Sequence, residues 1–436
     1  MGCLHLKRTS SKFIRSVMLS EIKIIRVFED RQQKVTLSPK NMEDLTGMRD
    51  IIGENNLIIQ ADGKLLIRHY VGYVQLNKTR LLVYPKVAAG LEMDGEFNRS
   101  FEILLKMLVF SGFCGVKKIP EEQNISKFQN DILEFYIGMF ADELRTQFQR
   151  DINRGYNNQL ENQSFIKGKV DFNETVKHNS FKRHLHYVRY DEFDEKTLLN
   201  QIFKTIIQIL IKKTRVKHNK INLKQLQMWL EDVETINIAE DTWKGVNFTR
   251  QNKKYETAFN MAKLFYNQAS PRIIDGNTTV LSFLIPVNQL FETYLYKLLE
   301  KSINSDYLLK YQGPIDYLAD LNGKRFLQMK PDITVLKYGK VVQIIDAKYK
   351  IITDDDDHLL LSQGDVYQML AYSIRYQCNN ILLIYPKKLN DTQTGLVSSF
   401  SIKNYEQTVT INLIKVSLEA DPLKVSQELF EFMKLQ

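Results

Sequence analysis

The spacing of apolar residues changes twice along the chain and divides it into three blocks. From residue 18 to about 90 apolar residues recur with a period near two, and Asn77-Lys78-Thr79 separates two such runs, which predicts a β-hairpin. From about 101 to 270 apolar residues recur at three- and four-residue spacing, as in amphipathic helices. After about 280 predicted strands and helices alternate, which favours a mixed α/β sheet.

The same patterns predict individual elements. In the middle block they predict helices at Phe101–Phe110, Ile132–Phe148 and Leu198–Ile211. In the last block they predict, in chain order, a helix at Pro286–Glu300, strands at Ile333–Lys337 and Val341–Lys348, a helix at Gly364–Tyr376, strands at Ile381–Tyr385 and Thr408–Val416, and a terminal helix. We therefore predict an α+β multidomain protein with an N-terminal β-rich domain, a helical middle region and a C-terminal α/β core whose mixed sheet is flanked by helices.

Domain boundaries follow from these changes of pattern. Residues 1–17 are basic and lack the apolar segment of a signal peptide, so we predict a disordered or non-native leader. We place an N-terminal β-rich and helical region at 18–165, a mainly helical connecting region at 166–275, and the α/β domain at 276–436.

Composition narrows the class of protein only modestly. The 436 residues carry 60 Lys and Arg against 51 Asp and Glu, and the resulting net charge of +9 is compatible with a polyanionic partner. No run of about 18 apolar residues occurs, so we predict no membrane contact and a cytoplasmic location. The glycine-rich G-x-x-x-x-G-K loop that cradles nucleotide phosphates is also absent from the sequence.

Charged residues stand at the ends of two apolar strands of the last block. Asp346 and Lys348 share a strand face because side chains alternate along a strand, and Asp332 precedes the neighbouring strand. A two-residue turn at Tyr338-Gly339 would point Asp332 away from Asp346. A three-residue loop, or an equivalent bulge, would place the two carboxylates opposite each other, and we predict this second arrangement.

Two opposed carboxylates suit Mg²⁺, which prefers oxygen ligands. One or two Mg²⁺ ions bound by Asp332 and Asp346 would generate a hydroxide nucleophile and stabilise charge on a phosphoryl group. Lys348 would orient or deprotonate the attacking water, or neutralise the pentavalent phosphorane, and the sequence leaves these roles open.

An Asp followed at a distance by Asp-x-Lys resembles the signature of the PD-(D/E)xK nuclease superfamily. Pro331-Asp332 and Asp346-Ala347-Lys348 carry this resemblance. In that superfamily a Glu in the first core helix often completes the metal site, which implies this role for Glu292. A Gln-x-x-x-Tyr helix accompanies the site in several such nucleases and helps to position the site and the DNA. Gln368 and Tyr372, one helical turn apart, match it.

A longer series of motifs resembles the McrC family. The motifs occur in the family's order: Gly168-Lys-Val-Asp-Phe, Asp191–Lys204, Leu290-Phe-Glu, Pro331-Asp, Asp346-Ala-Lys-Tyr, Asp365–Tyr372 and Leu382-Leu-Ile-Tyr-Pro. The resemblance implies the nuclease subunit of a type IV restriction system that cleaves double-stranded DNA containing methylcytosine. It also implies a partner, a McrB-like hexameric AAA+ GTPase, which binds the GTP and is stimulated by the McrC subunit.

The resemblance assigns partner binding to the N-terminal block without identifying the contact residues. Arg68 and Arg80 of the predicted hairpin are candidates for contacting the partner, because arginines of a hairpin are expected to be exposed. Alternatively, they are solvated arginines without a role in binding. The basic run Lys212–Lys220 is a candidate surface for DNA phosphates, or a solvated helix end.

Two alternative functions remain open at this point. The chain could be a non-cleaving adaptor that activates the NTPase, or a standalone PD-(D/E)xK nuclease that needs no nucleotide. The prediction that we carry forward is an Mg²⁺-dependent endonuclease subunit with catalytic residues Asp332, Asp346 and Lys348 and with metal ligands Asp332, Asp346 and Glu292.

Overall fold

The computed structural model describes most of the chain. The described residues are 23–60, 62–76, 79–90, 95–113, 131–269, 272–274, 278–352, 361–403 and 408–433. The predicted leader at residues 1–17 lies outside them. Helices and several sheets make up the described parts, which confirms the mixed α and β class. Among these residues no helix is both long and apolar enough to cross a membrane.

The N-terminal part is built around the hairpin that the sequence predicts. Its elements are β1 (Lys23–Phe28), β2 (Gln33–Lys34), α1 (Pro39–Thr46), α2 (Arg49–Ile52), β3 (Leu57–Ile59), β4 (Lys64–Ile67), β5 (Tyr70–Leu76) and β6 (Thr79–Tyr84). Antiparallel β5 and β6 form the hairpin, with Leu76 paired to Thr79, and the turn residues between them lie outside the described parts. β1 runs parallel to β6, while β2, β4 and β3 form a small separate sheet.

Helices dominate the middle part, and three of them cover the predicted segments. The elements are α3 (Glu96–Ser111), α4 (Ile132–Arg150), β7 (Gly155–Gln163), β8 (Lys169–Val170), α5 (Phe172–Asn179), β9 (His186–Asp194), α6 (Leu198–Lys213), α7 (Lys217–Trp229), α8 (Glu240–Lys244) and α9 (Glu256–Ala269). Strands β7, β9 and β8 form an antiparallel sheet that the sequence pattern did not predict. We call this sheet, with α5, the exposed sheet (residues 155–194). It spans the predicted boundary between residues 165 and 166.

Two later strands return to the N-terminal sheet. β10 (Arg272–Ile274) and β11 (Thr278–Pro286) complete a five-stranded sheet in the order β1-β6-β5-β11-β10. Phe283 of β11 pairs with Tyr73 of β5. A Cβ at Gly72 would lie 2.0 Å from the Phe283 carbonyl oxygen, so this close approach of two backbones requires glycine. The predicted boundary between residues 275 and 276 falls between two adjacent strands of this sheet.

The last part contains a mixed sheet, as predicted. Its elements are α10 (Val287–Ser302), β12 (Leu308–Tyr311), β13 (Asp316–Leu321), β14 (Lys324–Met329), β15 (Ile333–Lys337), β16 (Lys340–Ala347), α11 (Gln363–Tyr376), β17 (Asn380–Pro386), β18 (Gly395–Lys403), β19 (Thr408–Val416) and α12 (Pro422–Met433). Six strands follow the order β12-β15-β16-β17-β19-β18, in which β16, β17 and β19 run parallel and the other pairs run antiparallel. β13 and β14 form a separate hairpin.

One hydrophobic core joins the three parts. A continuous cluster of buried apolar side chains extends from Phe28 of β1 to Met433 of α12. Within it, Phe110 of α3 meets the ring of Tyr294 of α10 edge-on, with the ring centroids 5.6 Å apart. The three parts therefore share this buried cluster, and the middle and last parts are packed against each other within it.

Arg80 is not the exposed residue that its place in the hairpin suggested. Its side chain is 4% exposed, forms an ion pair with the buried carboxylate of Asp131, and lies over the ring of Tyr73. Asp131 is the N-cap residue of α4, and α4 packs on β5. The prediction was wrong because sequence alone did not show that a helix covers this face of the hairpin. Arg68 is exposed, as predicted.

Candidate active site

Strands β15 and β16 form the hairpin that carries the predicted carboxylates. Its turn is the two-residue Tyr338-Gly339, with positive φ angles of 51° and 79°, and Lys337 pairs with Lys340 across it. Two positive φ angles are typical of the tight turns whose twist matches that of a hairpin. The three-residue loop that we considered is therefore not formed.

A β-bulge restores the predicted register. The pairing shifts by one residue between Val335 and Leu336, and beyond the shift Ile333 pairs with Ile345. The next residues along the two strands are Asp332 and Asp346, which therefore occupy opposite positions. Ala347 confirms this proximity, because its backbone N–H donates a hydrogen bond of 2.8 Å to Oδ2 of Asp332.

Both carboxyl groups lie in surroundings that disfavour negative charge. Asp346 is 2% exposed. Burial, together with the negative charges of Asp346 and Glu292, raises the pKa of Asp332 to about 8. Burial also raises the pKa of Asp346, and the Lys348 ammonium opposes this shift. A cation bound between the two groups would favour their charged forms.

Lys348 stands among three acceptors. Its Nζ lies 2.8 Å from Oδ2 of Asp346 and 3.2 Å from Oδ1 of Asp365, and it donates a hydrogen bond of 3.0 Å to Oε1 of Gln368. Burial lowers the pKa of Lys348, but the two carboxylates outweigh it and the net shift is upward. The lysine is held as an ammonium ion in a fixed position.

The Gln-x-x-x-Tyr pair on α11 faces the site, at the spacing that the sequence predicts. Nε2 of Gln368 donates a hydrogen bond of 3.0 Å to the Tyr372 hydroxyl, which in turn donates to the Lys330 carbonyl oxygen at 3.2 Å. Lys330 precedes Asp332 by two residues. This chain of hydrogen bonds therefore connects Lys348 to the segment that carries the other carboxylate.

Glu292 on α10 faces the same region but has another immediate partner. Its Oε2 accepts a hydrogen bond of 3.2 Å from Nε2 of Gln312, whose Oε1 accepts one of 2.7 Å from Nζ of Lys330. Burial raises the pKa of Glu292, and the negative charge of Asp346 adds to this effect. Glu292 is thus close enough to interact electrostatically with Asp346.

Sequence reasoning missed Asp365 and Gln312 as members of the site. Asp365 holds Lys348 and, through Oδ2 at 3.2 Å, also Lys350. A local signal for Asp365 was present, because Ser362 caps α11 by accepting a hydrogen bond from the Asp365 N–H, and this S-x-x-D pattern marks a helix start. We find no comparable signal for Gln312, which reaches Glu292 from the loop after β12.

The donor set fits Mg²⁺ through two carboxylates rather than through a closed cage. Within the described residues no group of three or more His, Cys, Asp and Glu side chains is arranged to hold a metal ion. Mg²⁺ is commonly bound by one or two carboxylates and substrate phosphates, and it keeps several waters. Asp332 and Asp346 meet this requirement, because they occupy opposite strand positions and offer two carboxyl groups to one ion.

The fold and the site define an α+β protein with paired carboxylates and a lysine at the end of a central parallel strand. A family model described as "McrBC 5-methylcytosine restriction system component" matches residues 65–386, which include every residue of the site. The chain belongs to this family.

Two relatives illustrate the similarity. The chain is 22% identical over 300 residues to the type IV methyl-directed restriction enzyme EcoKMcrBC of Escherichia coli K12, a match that covers 65% of this chain and 82% of that protein. It also resembles a solved half-complex from the tetradecameric assembly of Thermococcus gammatolerans McrB AAA+ hexamers with bound McrC. That match has a TM-score of 0.72 and 19% identity, and it covers 94% of this chain and 100% of the other.

Proposed function

We propose that this protein is the DNA-cleaving subunit of a modification-dependent restriction system and acts with an AAA+ GTPase partner. The observation that carries the proposal is the placement of Asp332 and Asp346 on opposite strand positions, with the Lys348 ammonium 2.8 Å from Asp346. The E. coli relative, described as a methyl-directed restriction enzyme, supports methylcytosine-containing DNA as the substrate.

Each residue of the site has a distinct task in this proposal. Asp332 and Asp346 would hold Mg²⁺, which when bound supplies an activated water and stabilises charge on the phosphoryl oxygens. Lys348 lies among three acceptors that favour its charged form, which suits neutralisation of the phosphorane better than removal of a proton. Gln368 and Tyr372 act as positioning residues, because they fix Lys348 relative to the Asp332 segment.

Plasmid cleavage tests the proposal directly. We expect methylated plasmid to be cut in Mg²⁺ and GTP only when the AAA+ partner protein is present. Unmethylated plasmid should stay intact. Cutting by this chain alone, without nucleotide, would instead identify a standalone nuclease. Stimulated GTP hydrolysis without any cutting would identify an adaptor.

The partner is proposed to contact the exposed sheet. The exposed sheet carries large apolar side chains that are each at least 55% exposed to solvent: Tyr156, Phe165, Ile166, Phe172, Val176, Phe181 and Phe193. Concentrations of exposed apolar side chains are typical of protein-binding surfaces. The solved relative contains McrB AAA+ hexamers with bound McrC. We therefore propose that the AAA+ protein is the partner that binds the exposed sheet.

Serine at two of these positions is expected to weaken the partner interaction. Phe172 and Phe181 are 75% and 101% exposed, so Phe172→Ser with Phe181→Ser removes apolar contact area without disturbing the core. We expect the concentration needed to stimulate the partner's GTPase to rise at least about tenfold. Tyr338→Ser, which changes a side chain that is 93% exposed elsewhere, is the control and should leave stimulation unchanged. Equal stimulation by the unchanged protein, the double variant and the control would show that the exposed sheet is not part of the interface.

A further inference from the structure

A stretch of the middle helices exposes positive charge and contains no acidic residue of its own. No Asp or Glu occurs between Lys196 and Leu230, which span α6 and α7. We use the name basic face for the exposed cations of this stretch, which are Lys212, Arg215, Lys217, Lys220 and Lys224. Within the described parts of the chain, no acidic side chain forms an ion pair with any of these five. None of them belongs to the candidate active site.

Three of the cations form a row along α7. Lys217, Lys220 and Lys224 are spaced three and four residues apart and therefore share one face of the helix. The opposite face packs into the protein through the buried residues Asn219, Asn222, Leu223 and Leu226. At 1.5 Å per residue the row is about 10 Å long. Phosphates of one DNA strand recur every 3.4 Å or so along the duplex axis, so the row can face about three of them.

A buried carboxylate fixes the turn that presents these cations. Glu134 of α4 is 2% exposed and accepts hydrogen bonds from the Thr214 hydroxyl at 2.6 Å and the Arg215 N–H at 2.7 Å. It also accepts one of 3.0 Å from Nδ2 of Asn219, in the first turn of α7. A turn held in this way loses little conformational freedom when it binds a ligand.

The first turn of α7 contains no acidic residue of its own, and the nearby Glu134 carboxylate comes from α4. A helix N-terminus carries partial positive charge, and acidic residues usually stabilise it. Here the first turn contains Lys217 and Lys220 and no acid, and Val216 at the N-cap offers no side-chain hydrogen bond. Glu134 lies on the buried side of this turn, so a bound anion on the outer side would reduce the repulsion among the exposed cations.

We propose that the basic face binds the phosphate backbone of double-stranded DNA on helices separate from the site of cleavage. The proposal rests on the proposed function, since it takes the same DNA as ligand. Its role is to hold the duplex through contacts that do not depend on sequence, while modification is read elsewhere.

Salt-dependent DNA binding tests this assignment. We would compare two full-length proteins that both carry Asp346→Asn, using a fluorescein-labelled duplex in EDTA over a range of salt concentrations. One also carries Lys212→Gln, Lys217→Gln, Lys220→Gln and Lys224→Gln. For this variant we expect the slope of log K against log salt to be smaller in magnitude by about 3 to 4, because each lost phosphate contact contributes roughly 0.9. We also expect its DNA affinity at about 0.1 M salt to fall at least tenfold.

Two matched variants make the result specific. Four exposed lysines elsewhere, changed as Lys34→Gln, Lys40→Gln, Lys244→Gln and Lys424→Gln, alter the net charge equally and should leave the slope within one unit of the parent protein. Arginine at the four basic-face positions should restore binding. An unchanged slope in the basic-face glutamine variant overturns the proposal. Loss of GTPase stimulation in that variant, with DNA binding intact, also overturns it and would identify the basic face as a protein-binding surface. Absence of DNA binding by the parent protein also overturns the basic-face proposal, whereas the plasmid cleavage experiment decides the proposed function separately.

Discussion

Asp346→Asn should abolish DNA cleavage while leaving the fold intact. The change keeps the size of the side chain but removes one of the two carboxyl groups that face each other at the hairpin. Loss of a group that stabilises charge in a transition state typically costs 10²- to 10³-fold in rate, and loss of a metal ligand costs at least as much, so we expect a decrease of about 10³-fold or more. The measurement is the initial rate of plasmid cutting with partner, GTP and Mg²⁺.

The thermal stability of the Asp346→Asn variant separates loss of catalysis from loss of the fold. Burial raises the pKa of Asp346, so near neutral pH its ionisation costs more free energy in the folded chain than in the unfolded chain. Asn removes this cost, and Lys348 retains Asp365 and Gln368 as partners. The melting temperature should therefore stay equal or rise. Asp306→Asn, at an exposed carboxylate, is the control and should cut normally. Full activity of Asp346→Asn would refute the assigned site.

Lys348→Met should lower the cleavage rate by at least about 10²-fold with little change in DNA affinity. The Lys348 side chain is 15% exposed, and its ammonium stands between Asp346 and Gln368, where it would neutralise charge on a phosphoryl oxygen. Single-turnover rates at saturating protein separate this effect from binding.

The neighbouring lysine supplies the matched control for that variant. Lys350 also pairs with Asp365, at 3.2 Å, but its side chain is 60% exposed, and the ion pair of Asp346 is formed by Lys348 instead. Lys350→Met should therefore retain its rate within about threefold. Equal losses in the two variants would assign the effect to Asp365 and its salt bridges rather than to the Lys348 ammonium.

The sequence was most informative where chemistry restricted the pairing of two strands. The strand after Asp332 and the strand that leads to Asp346 are mostly apolar on both faces, so burial alone does not fix their register. The register was predicted from the requirement that the two carboxylates face each other. The position of the bulge did not follow. Val341 and Val342 are equally apolar, so the pattern does not distinguish a longer turn from a two-residue turn with a bulge.

The elements that escaped prediction are those whose partners are distant or absent. β7 reads Gly-Tyr-Asn-Asn-Gln-Leu-Glu-Asn-Gln and has no fully buried residue, so no apolar alternation marks it as a strand. β11 was missed as a member of the N-terminal sheet because its partner β5 lies far away in sequence. Gln312 reaches Glu292 only through the fold of the loop after β12.

The pairing of β5 with β11 also constrains how the chain folds during synthesis. β5 emerges from the ribosome about 200 residues before β11, and at roughly 5–20 residues per second this interval lasts about 10–40 s. During that time one edge of β5, which includes the apolar residues Val71 and Val74, has no strand beside it. Unpaired apolar edges readily pair with other chains. We therefore expect the nascent N-terminal part to be prone to pairing with other chains until β11 has been synthesised.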